Sequence, residues 1–237
     1  AIVVIVLLIL IHSNLHFKEK AEVDEGDVIY HQMVASKDTG ERLELLNRHI
    51  ALAHSRMIDF TRDCYLHITD GLMNENIKEL RKAAESINDV RKDWSKARQK
   101  EIVGMRMVDY YEAVKKNTWF HLGNNSVTQF FYCLKRISDP CVEHVDNNFN
   151  PLPRDYVHAF LPIRDEVVEM FEKAHEMIAA QDFNQIDVLM DEGNALKSRL
   201  SEMRHQEQIN YRREGTNIRL DLLYLNTLQE TQELVST

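Results

Sequence analysis

The residues best placed to do chemistry are three carboxylates, Asp139, Glu143 and Asp146, which follow one another at steps of four and three. On a helix such steps put all three on one face, and His144 stands beside them. Together they offer oxygen ligands and one imidazole, a set suited to a divalent or iron-type metal ion. A competing reading starts from Pro140. Proline is favoured at the first helical position after an aspartate cap, which would make Asp139 an N-cap and leave Glu143 and Asp146 on a solvated face. Both readings stay open at this level.

A second chemistry is spelled by Glu172-x-x-His175 and Glu202-x-x-His205, the pairing that di-iron carboxylate enzymes bring together inside a four-helix core. Here a turn at Asp182 would place the two pairs about 20 Å apart along the helix axes, so they read as surface pairs. A third candidate is Gly123-Asn124-Asn125-Ser126, taken as a break before a helix. Asn125 and Ser126 would then sit where free backbone N–H groups can face an anion, or would simply cap the helix. His67 lies one step beyond Cys64 on an apolar seam and reads as a core histidine.

No Gly-x-Ser-x-Gly, Walker loop, dinucleotide fingerprint or His-Glu-x-x-His occurs, so the chain is read as a non-enzyme. Cys64, Cys133 and Cys141 show no Cys-x-x-Cys spacing and read as reduced structural thiols. The formal charge of -9 argues against nucleic acid, whose binders need a clustered basic face.

The elements that must carry these residues are helices. Only seven Gly and four Pro interrupt 237 residues. Leu43, Leu46, Ile50, Ala53, Met57, Phe60 and Cys64 alternate three- and four-residue steps, a heptad seam that ends near Asp70-Gly71. Asn76 and Glu79 open a second helix in capping-box spacing, and a third carries Val127, Phe130, Leu134, Ile137 and Cys141 after the break at 121–125. Asp146 to Pro153 looks like a connection. A fourth helix then presents Phe160, Ile163, Val167 and Phe171, and a fifth, opened by Asp182 and Gln185, presents Ile186, Leu189, Leu196, Leu200 and Met203. Beyond Gly215 a sixth carries Ile218, Leu222, Leu225 and Leu228. The order predicts an all-α, elongated antiparallel bundle of two three-helix repeats, one over about 40–148 and the other over about 154–236.

Residues 15–35 are acidic and polar and read as a linker. Before them residues 1–11 are uniformly apolar, which covers roughly 16 Å of a bilayer core about 30 Å thick. We read residues 1–14 as the end of a transmembrane helix with Lys18 and Lys20 as its cytoplasmic flank; the alternative is a buried apolar segment.

Phe131-Tyr-Cys-Leu-Lys-Arg-Ile-Ser-Asp139 resembles the helix signature of PhoU-like proteins, an acid, Arg, an apolar residue, Gly and Asp. Arg136, Ile137 and Asp139 match, while Lys135 replaces the leading acid and Ser138 the Gly. In the second half Leu228-Gln-Glu-Thr-Gln-Glu233 looks like the corresponding run, with Glu233 at the Asp position and Gln229 at the leading acid. From about Tyr30 onward the chain resembles the PhoU-like C-terminal domains of bacterial inorganic phosphate transporters of the PiT and sodium–phosphate cotransporter types. This resemblance implies a regulatory role in phosphate uptake on the cytoplasmic side of the inner membrane. The implied partners are the transmembrane part of the same transporter, inorganic phosphate handled by the full-length protein, and a second copy in a homo-oligomer. It also implies carboxylates that hold metal ions, which would add Glu230 and Glu233 to the set around Asp139. The alternative function is a stand-alone helical scaffold or metal-binding sensor.

Overall fold

The computed structural model describes residues 24–210 and 217–237. The reading of residues 1–14, the first part of the linker and Gly215 therefore lie outside the described residues. Among these there are seven helices and no strand. They are α1 (Glu25–Ala35), α2 (Thr39–Met73), α3 (Ile77–Met107), α4 (Tyr110–Asp146), α5 (Arg154–Ala180), α6 (Ile186–Asn210) and α7 (Ile218–Ser236).

Local chemistry explains most of the boundaries. Side-chain oxygens of Asp24, Asp38, Asn76, Asp109 and Asn217 accept first-turn N–H groups of α1, α2, α3, α4 and α7, each satisfying a donor that the helix itself leaves unpaired. The Asn76–Glu79 cap forms as spaced in the sequence, with the Asn76 oxygen accepting the Glu79 N–H at 3.3 Å. Asp182 instead accepts from Asn184 at 3.1 Å. At the end of α2 the left-handed residue is Glu75, with φ of 52°, and Gly71 stays helical. The role of Gly71 is clearance: a Cβ there would lie 2.8 Å from Leu80 Cγ, where α3 crosses α2.

Two boundaries differ from the sequence reading. The segment 25–35 is not a linker but α1, capped by Asp24 and favoured by Glu25 and Asp27 in its first turn. Ile29 and Met33, one turn apart, are buried, and the helix packs on both α2 and α3. The expected break at 121–125 is also absent, because α4 runs straight through it. Asn124 Nδ2 donates to the Phe120 carbonyl one turn back at 2.8 Å, and Thr128 Oγ1 donates to the Asn124 carbonyl at 2.8 Å. These polar side chains turn back onto their own helix. The real interruption falls earlier, at Val108-Asp109.

α2 packs against α1, α3, α4 and α5, which explains why it buries more than the single predicted seam. Leu46, Ala53 and Cys64 of that seam are buried, and so are Ile58, Tyr65, Ile68 and Leu72 on a second stripe. Beyond α2 the contacts fall into two groups of three, α2–α4 and α5–α7. Their first members touch each other (α2 with α5), as do their third members (α4 with α7). The bundle has one large core reaching α2 through α7 and a small cluster of Met33, Leu46 and Val108 beneath α1. Burial of each large side chain in these clusters contributes about 1.5–3 kcal/mol. In α7 the buried face is Leu220, Leu223, Tyr224 and Leu228, whereas Ile218 and Leu222 are exposed.

Candidate functional site

Among the described residues the carboxylates on α4 are not gathered with one another or with His144 into a group of three. Asp139 is exposed and pairs with Lys135 at 3.0 Å, and Asp146 pairs with Arg81 of α3 at 2.5 Å. Glu143 is exposed, while His144 is buried with neither ring nitrogen hydrogen-bonded. It packs near Phe149, 5.8 Å between ring centroids. Residue 144 points inward because one step along a helix turns the side chain by about 100° from its neighbour. Asp139 is also not an N-cap, since it lies well inside α4. Among the described residues no group of three or more His, Cys, Asp or Glu could hold a metal ion.

Pro140 inside α4 has no N–H to give the Arg136 carbonyl. Asn226 of α7 supplies the missing donor through Nδ2 at 3.0 Å. Arg136 Nε also donates to Glu230 Oε2 at 2.7 Å, with the Glu230 side chain only 9% exposed. Thus Arg136 and Glu230, which occupy the same position in the two aligned runs, bind each other where α4 meets α7. Glu230 is committed to this pair, and exposed Glu233 accepts from Gln229 at 3.0 Å. Neither residue joins a cluster with Asp139.

The remaining candidates are placed as follows. Asn125 and Ser126 lie mid-helix, so the N–H groups that an anion would need there are used by α4 itself. Glu202 and His205 are exposed. His175 is partly buried, its Nδ1 3.1 Å from Asp59 of α2. His67 is exposed and bonds Glu79 at 2.9 Å, a correction to its reading as a core residue. All three thiols are buried. Burial pushes Cys64 and Cys141 up to about 12 and Cys133 to about 11, which keeps them protonated and poorly nucleophilic.

The arrangement that stands out is one the sequence did not disclose. Beneath α1 a cavity of about 460 Å³ opens between α1, α2 and α3. Its wall includes His49 and Trp94, and its rim carries Arg56, Lys96 and Lys100. Each of these cations holds an acid: Arg56 holds Asp24 at 2.6 Å, Lys96 holds Asp93 at 2.7 Å, and Lys100 holds Asp27. Behind His49 lies Glu101, fully buried, with neither carboxyl oxygen hydrogen-bonded. His49 Nδ1, also without a partner, is 3.9 Å from Glu101 Oε1, beyond hydrogen-bond range. Burial pushes the Glu101 carboxyl up to about 8, only weakly opposed by Arg98. The His49 imidazole is held below its usual value by burial and by Lys100, against the pull of Asp24 and Asp27. The result is an acid and a base facing each other in their neutral forms at neutral pH, below a charged rim.

These residues escaped the sequence reading for a definite reason. His49 and Glu101 lie 52 positions apart on different helices, and the acidic, polar composition of residues 15–35 reads as a linker rather than as the helix that packs over His49. The one available signal was the local pattern Asp24 to Met33, a cap followed by two apolar residues one helical turn apart.

A second polar cluster joins α5, α6 and α7. The Tyr156 hydroxyl bonds Asp221 Oδ1 at 2.9 Å and also reaches Glu207, and its ring stacks on Tyr224 at 4.3 Å. Burial and these two carboxylates raise the Tyr156 pKa, so it serves as a donor. Among the described residues no helix is long and apolar enough to cross a membrane. Comparison with protein families, curated proteins and solved structures finds no match for this chain.

Proposed function

We propose that this chain is a non-catalytic regulatory domain of the PhoU type, attached to an inorganic phosphate transporter and acting on phosphate uptake at the cytoplasmic membrane face. The observation that carries the reading is α1. Residues 25–35 form a helix seated on the bundle. Ile29 and Met33 are buried there, and Asp24–Arg56, Glu25–Arg48 and Asp27–Lys100 tie α1 to both α2 and α3. A change in the bundle that moves α2 or α3 would therefore move α1, which follows the N-terminal part in the chain. The contact of α2 with α5 and of α4 with α7 supports two matched halves, the organisation that the sequence resemblance implies.

The test is phosphate uptake by the full-length protein carrying Ile29→Ser and Met33→Ser, which remove the apolar seat of α1. Uptake should lose its response to phosphate status while the transporter itself still works. An unchanged response would sink the coupling. Reading the coding sequence upstream tests the transporter assignment separately: several hydrophobic spans are expected, and a start codon directly before residue 1 would remove it.

A further inference from the structure

Asp24 is bound as a free anion would be. Its Oδ2 accepts the Asp27 N–H, in the first turn of α1, at 3.1 Å. Its Oδ1 accepts from Arg56 Nη1 of α2 at 2.6 Å. A helix N-terminus and a guanidinium converging on one oxyanion are the elements by which proteins recognise phosphate and carboxylate groups. Gly26 keeps the surrounding space open. A Cβ at this position would lie 2.9 Å from Asp24 Oδ2, 3.8 Å from Arg56 Nη1 and 3.8 Å from His49 Nε2. His49, 4% exposed, stands in the wall of the same cavity with Nε2 toward Gly26, while its unpartnered Nδ1 faces Glu101. Lys96 and Lys100 stand on the same rim, paired there with Asp93 and Asp27. The carboxylate of Asp24, by contrast, is 48% exposed and belongs to the first capping residue of a short helix, so it can swing outward without disturbing the core.

We propose that the mouth of this cavity is an oxyanion-binding site, for inorganic phosphate or for the phosphate of a larger ligand, and that Asp24 occupies it as an internal substitute. An incoming anion takes the Asp27 N–H and the Arg56 guanidinium, and Asp24 moves to solvent. Because the Asp24–Arg56 pair is one of the ties that seat α1, occupancy and the position of α1 are linked. Each therefore biases the other by the same factor. The choice of phosphate as the ligand rests on the regulatory reading above, whereas the anion site rests on the geometry alone. The cavity is larger than one phosphate ion requires, which leaves room beside Trp94 for the body of a larger ligand.

The experiment uses the whole chain and calorimetric titration with inorganic phosphate and, separately, ATP, at matched ionic strength in chloride. Asp24→Ala vacates the site at the cost of the α1 cap, while buried Ile29 and Met33 keep α1 seated, and should bind at least about tenfold more tightly than the unaltered chain. Adding Arg56→Gln to it should abolish that gain. Adding Gly26→Ala should weaken it, since the new methyl fills the cradle. Saturation by inorganic phosphate identifies a free-anion site, and saturation by ATP alone identifies a site for a phosphate-bearing ligand. The proposal is overturned if neither binds the Asp24→Ala chain, or if Asp24→Ala and Asp24→Ala/Arg56→Gln bind alike. Failure here would leave the α1 coupling untouched, because the uptake test does not involve Asp24. Binding here together with an upstream start codon would keep the site and remove the transporter.

Discussion

Replacing Glu101 with Gln isolates the buried acid beneath α1. The folded carboxyl titrates at about 8 against an ordinary 4.5, so between those values the native state keeps a proton that the unfolded chain has released. Stability contributed by this group is therefore fully present below pH 4.5 and is lost as pH rises through 8. At 1.36 kcal/mol per unit, the loss between pH 5 and pH 8 amounts to about 3–4 kcal/mol. Because His49 is depressed, it works in the opposite sense, costing stability as pH falls below its ordinary 6.5. The two effects overlap below pH 6.5, which is why the comparison must be made against a variant. Gln is isosteric and neutral at every pH. Urea unfolding at pH 5, 6.5 and 8 should show Glu101→Gln gaining on the unaltered chain by about 3–4 kcal/mol over that range. Parallel stability profiles would refute the reasoning, because they would mean that Glu101 ionises as freely in the folded chain as in the unfolded one.

Four further outcomes are expected. Arg136→Met leaves the Glu230 carboxylate buried without its cation and should cost about 1–3 kcal/mol in chemical denaturation, while Glu230→Gln costs less. Asn226→Ala should cost about 1 kcal/mol, and in a Pro140→Ala background, where residue 140 regains its N–H, a double-mutant cycle should show most of that cost gone. Gly71→Ala should destabilise by about 1–2 kcal/mol despite better helix propensity, because its Cβ meets Leu80; Leu80→Ala in the same chain should remove that particular clash, read as non-additivity. Asp139→Ala with Glu143→Ala should change stability by less than about 0.5 kcal/mol, with or without added divalent cation in a thermal melt, since both side chains are exposed and Asp139 already pairs with Lys135.

Much of the architecture was already written in spacing. The seams Val127 to Cys141 and Phe160 to Phe171 are buried as spaced, and Asn76 caps α3 as its position beside Glu79 requires. Periodicity and capping are local properties, decided within two turns of chain, so a sequence determines them alone. What sequence could not determine is which faces meet. Whether Gly123 to Ser126 break a helix depends on α4 lying against α2, where the Gly123 position touches His54. Whether Asp24 to Ala35 form a helix depends on α2 and α3 covering Ile29 and Met33. Only that docking buries Glu101 against His49 and gathers three cations at one rim, because burial and electrostatic coupling arise between segments that are distant in sequence and acquire no partner until the helices pack.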